Sequence, residues 1–205
     1  KLSKKYKISI IFGAPLLDEK KHLNNDLIYV NPSDSDFQDY SKIHPFSFSG
    51  ENLFYKSGDK IVFLNHDGIK LGASICYDLR FPILFNLMAD KCHGIVCIAN
   101  WPSVRIDHWF TLLKARAIEN QLFMIGVNRD GIDGNAIKYQ KSSVIFSPDG
   151  ERLKPLEKFN EIEIYDICFE NVSKIRNNFK TYIDNTLKNY INLDNMEKYF
   201  DNVCN

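Results

Sequence analysis

Two uninterrupted apolar runs constrain the fold of this chain more than any other feature. Gly94–Ala99 is typical of a strand covered on both faces, and Phe123–Val127 is a second apolar strand. Between them, Asp107–Gln121 has its apolar residues on one side of a helix, with Asp107 placed to cap it. Strands that alternate with helices predict an α/β fold.

The remaining pattern extends this alternation over one domain, residues 1–205, with a C-terminal arm at about 174–205. Asp18–Lys21 forms a charged hairpin turn, and His66-Asp67-Gly68 marks a second hairpin. Strands are predicted at Ile8–Phe12, Leu27–Val30, Ile61–Leu64, Ile69–Ile75, Ser143–Phe146 and Ile162–Ile167, and helices at Phe81–Ala89, at Val172–Phe179 and beyond Asn185.

Composition excludes several classes of protein. Apolar residues make up 44% of the chain and charged residues 25%, which are ordinary globular values. The net charge is zero, so nothing indicates binding to nucleic acid or to an acidic membrane. No apolar run approaches the roughly 18 residues that span a bilayer. Five cysteines without paired spacing favour a reducing cytoplasm and no zinc site.

Cys76 lies where the strand Ile69–Ile75 turns sharply toward the helix Phe81–Ala89. Such a junction resembles a nucleophile elbow, which exposes the attacking atom at the end of a strand. Backbone amides at the start of a helix stabilise a thiolate, so we expect the pKa of Cys76 to be lowered. The other apolar-segment cysteines, Cys92, Cys97 and Cys168, are expected to be inert core residues.

The segments around Cys76 resemble a known family. Ile75–Pro82 (Ile-Cys-Tyr-Asp-Leu-Arg-Phe-Pro) is similar to the cysteine motif of the nitrilase, or carbon–nitrogen hydrolase, superfamily. Tyr40–Phe46 resembles its lysine motif, Gly50-Glu51-Asn52 its second-glutamate segment, and Ala99–Pro102 with Ala115–Gln121 its downstream motifs. The resemblance runs from about Ile8 to about Ile167. It implies a four-layer α-β-β-α sandwich, a homodimer, and neither cofactor nor metal.

The resemblance also implies roles for individual residues. Cys76 would attack a carboxamide carbonyl, release ammonia and leave a thioester that water cleaves. Lys42 and the backbone N–H of Tyr77 would stabilise the oxyanion, and Glu51 would position Lys42 or assist proton transfer. A solvated surface lysine and an exposed turn carboxylate are the alternatives for Lys42 and Glu51.

A second group of residues is expected near the substrate. Asn100 and Trp101 follow a strand at the end of the sheet where ligands usually bind. Two roles are equally compatible with this position: contact with the substrate, or packing of a lid over it. Arg105 is a candidate for an anionic substrate group, although a surface role is favoured. Asp78 and Arg80 are expected to pair with each other or to organise their loop, and Arg116 and Glu119 to form a structural or interface ion pair.

One departure from the family pattern concerns the general base. In the superfamily, a base glutamate lies on an early strand upstream of the lysine motif, but the only glutamate before Lys42 is Glu19, in the charged hairpin turn. We therefore expect the base, within roughly 50–70 residues of strand and helix, to precede Lys1. Without those strands, sheet edge and apolar surface would be exposed.

The details of the motifs are closest to the ω-amidase branch, which hydrolyses 2-oxoglutaramate and 2-oxosuccinamate to 2-oxo diacids and ammonia. The expected partner is thus a small-molecule amide. N-carbamoyl amine hydrolases and aliphatic amidases share the same core chemistry and stay open as alternatives. A catalytically dead or truncated homologue with an assembly or regulatory role is the alternative from another class.

Overall fold

The computed structural model describes residues 1–185, apart from the side chain of Tyr182. The helix expected beyond Asn185 and most of the expected arm at 174–205 lie outside the described residues. Within residues 1–185, no helix is both long and apolar enough to cross a membrane. The elements are α1 Leu2–Tyr6, β1 Ile10–Leu17, β2 Leu23–Val30, β3 Gln38–Ser41, β4 Phe63–His66, β5 Ile69–Ile75, α2 Pro82–Ala89, β6 Gly94–Ala99, α3 Ile106–Asn120, β7 Phe123–Asn128, β8 Gly131–Ile132, β9 Lys138–Tyr139, β10 Val144–Phe146, β11 Glu157–Phe159, β12 Ile162–Ile164, α4 Glu170–Asn178 and α5 Thr181–Asp184.

A five-stranded sheet forms the centre of the molecule, in the order β10-β7-β6-β5-β4. The three central strands β5, β6 and β7 run parallel, and the two edge strands run antiparallel to their neighbours. The boundaries predicted for β5 and β6 are confirmed at both ends. β6 is a continuous apolar run, as expected of a strand covered on both faces, whereas β5 follows the turn at His66-Asp67-Gly68 and ends at the Cys76 elbow.

The helices α2 and α3 pack on one face of this sheet. Pro82 occupies the first turn of α2, as its sequence position predicts. Trp109, Leu113 and Ala117 of α3 are fully buried, whereas Ile118, which the pattern placed with them, is 47% exposed. The cap predicted for α3 was wrong: the helix begins at Ile106 with no side-chain cap, so Asp107 lies inside the first turn.

A three-stranded antiparallel sheet, β1-β2-β3, covers part of the other face of the five-stranded sheet. Leu27, Tyr29 and Tyr40 from this sheet pack against β4 and β5 in one apolar cluster. Helices, five-stranded sheet and three-stranded sheet are thus consecutive layers of an α/β sandwich. The strand β1 forms a sheet edge with Phe12 43% and Leu17 64% exposed, so this edge carries uncovered apolar side chains within residues 1–185.

Two short hairpins and α4 complete the described fold. The pairs β8–β9 and β11–β12 contain strands of two or three residues, too short for a periodic pattern to reveal them, and the strand predicted to reach Ile167 ends at Ile164. Arg176 of α4 donates hydrogen bonds from Nη2 to the carbonyls of Ala89, at 2.8 Å, and Asn120, at 3.2 Å. These carbonyls end α2 and α3, so one guanidinium ties α4 to both helices.

The segment between β3 and β4 folds back on Lys42. The amide of Gly58 donates to the carbonyl of Lys42 at 2.8 Å. A Cβ on Gly58 would overlap the carbonyl group of Ser41, with the carbonyl carbon only 2.8 Å away. Only glycine therefore permits the close backbone contact that holds this segment against the lysine.

Replacement of Gly58 by alanine should destabilise the fold, because backbone atoms of Ser41 would have to move. We expect a loss of about 1–3 kcal/mol in the free energy of unfolding, measured by urea denaturation. Gly134→Ala is the matched control, since a Cβ at Gly134 meets no atom within 4 Å. Equal stability of the two variants would contradict the importance of this contact.

Candidate active site

Cys76 occupies a strained position at the end of β5. Its φ of 48° places it in the left-handed region, which costs a non-glycine residue of order 1–3 kcal/mol. The chain then forms a 3₁₀ turn, Cys76–Arg80, before α2 begins at Pro82. The predicted elbow is therefore confirmed, although a 3₁₀ turn separates the cysteine from the α-helix.

The buried carboxylate of Asp78 ties this elbow to the segment that carries Lys42. Its Oδ2 accepts hydrogen bonds from the amide of Ile75 at 2.9 Å and from the hydroxyl of Tyr40 at 2.8 Å. Its Oδ1 accepts from the amide of His44 at 2.9 Å and from His44 Nδ1 at 2.8 Å. Asp78 thus organises the loop, which was one of the two roles expected for it.

The buried Lys42 forms an ion pair with the partly buried Glu51. Lys42 is only 3% exposed, so a solvated surface lysine is excluded, and its Nζ lies 2.6 Å from Glu51 Oε2. Glu51 also accepts from Asn25 Nδ2 and from the amide of Phe46, both at 2.7 Å. Burial alone would raise the pKa of Glu51, but the hydrogen bonds from Lys42, Asn25 and Phe46 outweigh it and lower that pKa.

The thiol of Cys76 is not a ready thiolate. Burial raises its pKa, and the nearby charge of Lys42 opposes this rise only in part. The expected lowering was wrong, because desolvation of the sulfur outweighs the favourable charge and backbone groups around it. The thiol makes one weak contact, from Sγ to the carbonyl of Asn100 at 4.0 Å.

One open cavity of about 910 Å³ brings the predicted site residues together. Its volume lies within the range of small-molecule sites. A second cavity, of about 1020 Å³ beside β7 and β10, contains none of them. The predicted residues that line the first cavity are Lys42, Glu51, Cys76, Tyr77, Asn100, Trp101 and Arg105.

Trp101 is largely a structural part of this wall. It is 3% exposed, and its indole Nε1 donates to the carbonyl of Arg105 at 2.8 Å. The amide of Trp101 donates to Asn128 Oδ1 at 2.7 Å, and Asn128 Nδ2 donates back to the carbonyl of Trp101 at 3.0 Å. Sequence reasoning gave no individual role to Asn128, although the Asn128-Arg129 pair is among the segments that resemble the carbon–nitrogen hydrolase superfamily.

Several secondary expectations have a clear outcome. Asp78 and Arg80 do not pair: Arg80 stacks over Trp101 and its Nη2 lies 3.1 Å from His108 Nδ1. Asp78 is occupied by the four donors described above, which explains the difference. The ion pair of Arg116 and Glu119 is confirmed at 3.0 Å.

The cysteines expected to be inert core separate into two groups. Cys92 and Cys97 are buried, and burial raises the pKa of Cys92 to about 11. Cys168 is exposed, so its placement in the core was wrong. It follows the last residue of β12 by four positions, in the connection to α4, where no second layer covers it within residues 1–185.

Comparison with known proteins supports this architecture and its motifs. The family model for carbon–nitrogen hydrolase matches residues 1–177. The "hydrolase in agr operon" of Staphylococcus aureus is 34% identical over 184 residues, which are 88% of this chain and 70% of the relative. Omega-amidase YafV of Escherichia coli K12 is 37% identical over 143 residues, 70% of this chain and 55% of the relative.

A solved structure shows the same fold. A CN-hydrolase superfamily protein of Xanthomonas campestris, with an arsenic adduct in its active site, matches with a TM-score of 0.79 and 30% sequence identity. The match covers 89% of this chain and 71% of that chain. Because the family model matches most of its length, the chain belongs to the carbon–nitrogen hydrolase family.

Proposed function

We propose that this protein is a cysteine-dependent amidase that hydrolyses a short linear carboxamide and releases ammonia. The observation that carries the proposal is the position of Cys76, on a strained elbow in the same cavity as the buried pair of Lys42 and Glu51. A nucleophile and a fixed cation beside it are the parts that acyl transfer through a thioester needs.

In the proposed reaction, the sulfur of Cys76 bonds to the amide carbon while the thiol proton passes to the leaving nitrogen. The C–N bond then breaks, ammonia leaves, and a thioester remains. Water attacks the thioester, which releases the carboxylic acid and restores the thiol. The ammonium of Lys42 and the amide of Tyr77 would face the oxygen that becomes negative in both steps.

Proton transfer from Cys76 requires a base, because burial raises the pKa of the thiol. Glu51 is poorly suited to this role, since three donors occupy its oxygens and its pKa is lowered. Its contacts suit it to hold Lys42 in place. The separate base glutamate that the family pattern implies stays a prediction.

The substrate class rests on the relatives. One of them is an ω-amidase, and the ω-amidase branch acts on amides whose far end is a 2-oxo acid. We therefore propose 2-oxoglutaramate or 2-oxosuccinamate as the substrate. A cytoplasmic homodimer is also proposed.

Replacement of Cys76 by alanine should abolish ammonia release from 2-oxoglutaramate while the fold stays intact. Loss of the nucleophile should lower kcat by at least about 10³-fold, measured by coupled ammonia assay. Cys168→Ala is the control, because this cysteine is exposed and does not line the cavity. Full activity of the Cys76 variant would refute the assignment, and no activity in the unaltered protein would favour the dead homologue.

Replacement of Lys42 by methionine should lower kcat by about 10²–10³-fold with little change in KM, because an oxyanion forms only after substrate is bound. The control is Lys141→Met, which removes an exposed lysine paired with Glu161 at 3.1 Å. Steady-state kinetics on the two variants separate the roles. A rise in KM alone would show that Lys42 binds substrate rather than the oxyanion.

Alkylation of Cys76 should be slow at neutral pH. Since the pKa of this thiol is raised above its ordinary value of 9.0, the rate with iodoacetamide should climb as pH increases beyond that value. Lys42→Met should move the midpoint still higher, because Lys42 favours the thiolate. Peptide mass mapping distinguishes Cys76 from Cys168. A rate already constant from pH 7 would contradict the raised pKa.

A further inference from the structure

The wall of the active-site cavity carries an excess of positive charge. Four cationic side chains line it, those of Lys42, Arg80, Arg105 and Arg129, whereas Glu51 is the only carboxylate among its described lining residues. The whole chain has a formal net charge of zero. The cavity is therefore a local concentration of cations, of the kind that attracts an anionic ligand.

The four cations differ in whether a carboxylate neutralises them. Lys42 is paired with Glu51 at 2.6 Å. No ion pair within 4.0 Å joins Arg80, Arg105 or Arg129 to an acidic side chain in residues 1–185. Arg129 acts on Asp133 only at longer range, where its charge helps to lower the pKa of that carboxyl. The three arginines thus supply the cavity's cationic charge that no ion pair neutralises.

Each of these arginines is held by an aromatic ring. The guanidinium carbon lies 5.0 Å from the ring of Trp101 for Arg80 and 5.9 Å from the ring of Phe46 for Arg105. For Arg129, the distance to the ring of Tyr139 is 4.7 Å. A contact through the face of a guanidinium leaves N–H groups at its edge able to donate to a carboxylate. In Arg80, one edge nitrogen, Nη2, already lies 3.1 Å from His108 Nδ1.

The fold explains why residues so distant in sequence meet here. Arg80 ends the turn after β5, Arg105 lies in the connection after β6, and Arg129 directly follows β7. These three strands are parallel neighbours, so their carboxyl ends meet at one edge of the sheet. Ligands of open α/β sheets bind at this edge.

We propose that Arg80, Arg105 and Arg129 are specificity-determining residues that bind a carboxylate at the far end of the substrate from its amide. This inference rests on the proposed amidase function and deepens it. Because Glu51 neutralises Lys42, the substrate carboxylate is drawn to the arginines instead of to the cation beside the nucleophile. The amide end is then left next to Cys76, so the charge pattern orients the substrate.

Two substrates that differ in this carboxylate provide the test. Glutaramate carries one at the far end, and pentanamide has a methyl group in its place. We expect Arg105→Met and Arg129→Met each to raise KM for glutaramate by roughly 10- to 100-fold with little change in kcat, because the lost interaction is made before the reaction. The rate with pentanamide should not change.

Arg152→Met is the matched control. Arg152 also stacks on an aromatic ring, 5.3 Å from the centroid of Phe110, but it lines the other cavity. It should alter neither substrate's kinetics. If glutaramate and pentanamide are hydrolysed with equal kcat/KM, and the arginine variants do not change this, carboxylate recognition is overturned while the amidase function stands.

A binding measurement separates the two proposals further. Glutarate, the product of glutaramate, should bind the unaltered protein in titration calorimetry and bind at least about tenfold more weakly to the double variant Arg105→Met/Arg129→Met. If no amide is hydrolysed but glutarate binding shows this loss, the amidase proposal fails and anion recognition stands. Equal glutarate affinity in the double variant and the unaltered protein overturns the role of the arginines.

Discussion

The arrangement of the site depends on one buried carboxylate. Asp78 accepts two hydrogen bonds from its own elbow and the neighbouring β3, through Ile75 and Tyr40, and two more from His44. It therefore joins the strand end that displays the nucleophile to the segment that carries Lys42. A buried carboxylate satisfied by four donors is held rigidly, and each lost donor would leave a buried polar group unpaired. Cys76 and Lys42 are consequently held in a fixed relation to each other.

The electrostatics of the site favour the protonated thiol form of Cys76 over the thiolate. Burial makes the Lys42–Glu51 pair strong, because each charge depends on the other for compensation, and the same burial raises the pKa of Cys76. These two effects have opposite consequences for the sulfur. The fixed ammonium favours a thiolate, yet desolvation dominates. In the reaction that we propose, the charge on Lys42 is thus better suited to stabilise the oxyanion of acyl transfer than to ionise the thiol beforehand.

Local sequence patterns predicted most of the longer strands and helices. The contacts between residues distant in sequence could be seen only in the folded structure. The apolar run of β6, the hairpin turn before β5 and the elbow at Cys76 were predictable, because strand burial and sharp turns leave a mark on neighbouring residues. The pairing of Asp78 with His44 was not, since 34 residues separate them. The wrong assignment of Cys168 to the core has the same origin: an apolar neighbourhood in sequence does not show whether another layer covers it.

The parallel strands bring residues that are distant in sequence together in one site. Cys76, Arg105 and Arg129 are far apart in sequence, but each lies in the segment that follows the carboxyl end of a central strand. Short-range sequence patterns place each residue at a strand end, and the parallel order of the strands then brings the three ends together. The reacting group and the charged groups that we propose for anchoring are consequently carried by one rigid sheet. Their arrangement therefore depends on the order of the strands as well as on the side chains.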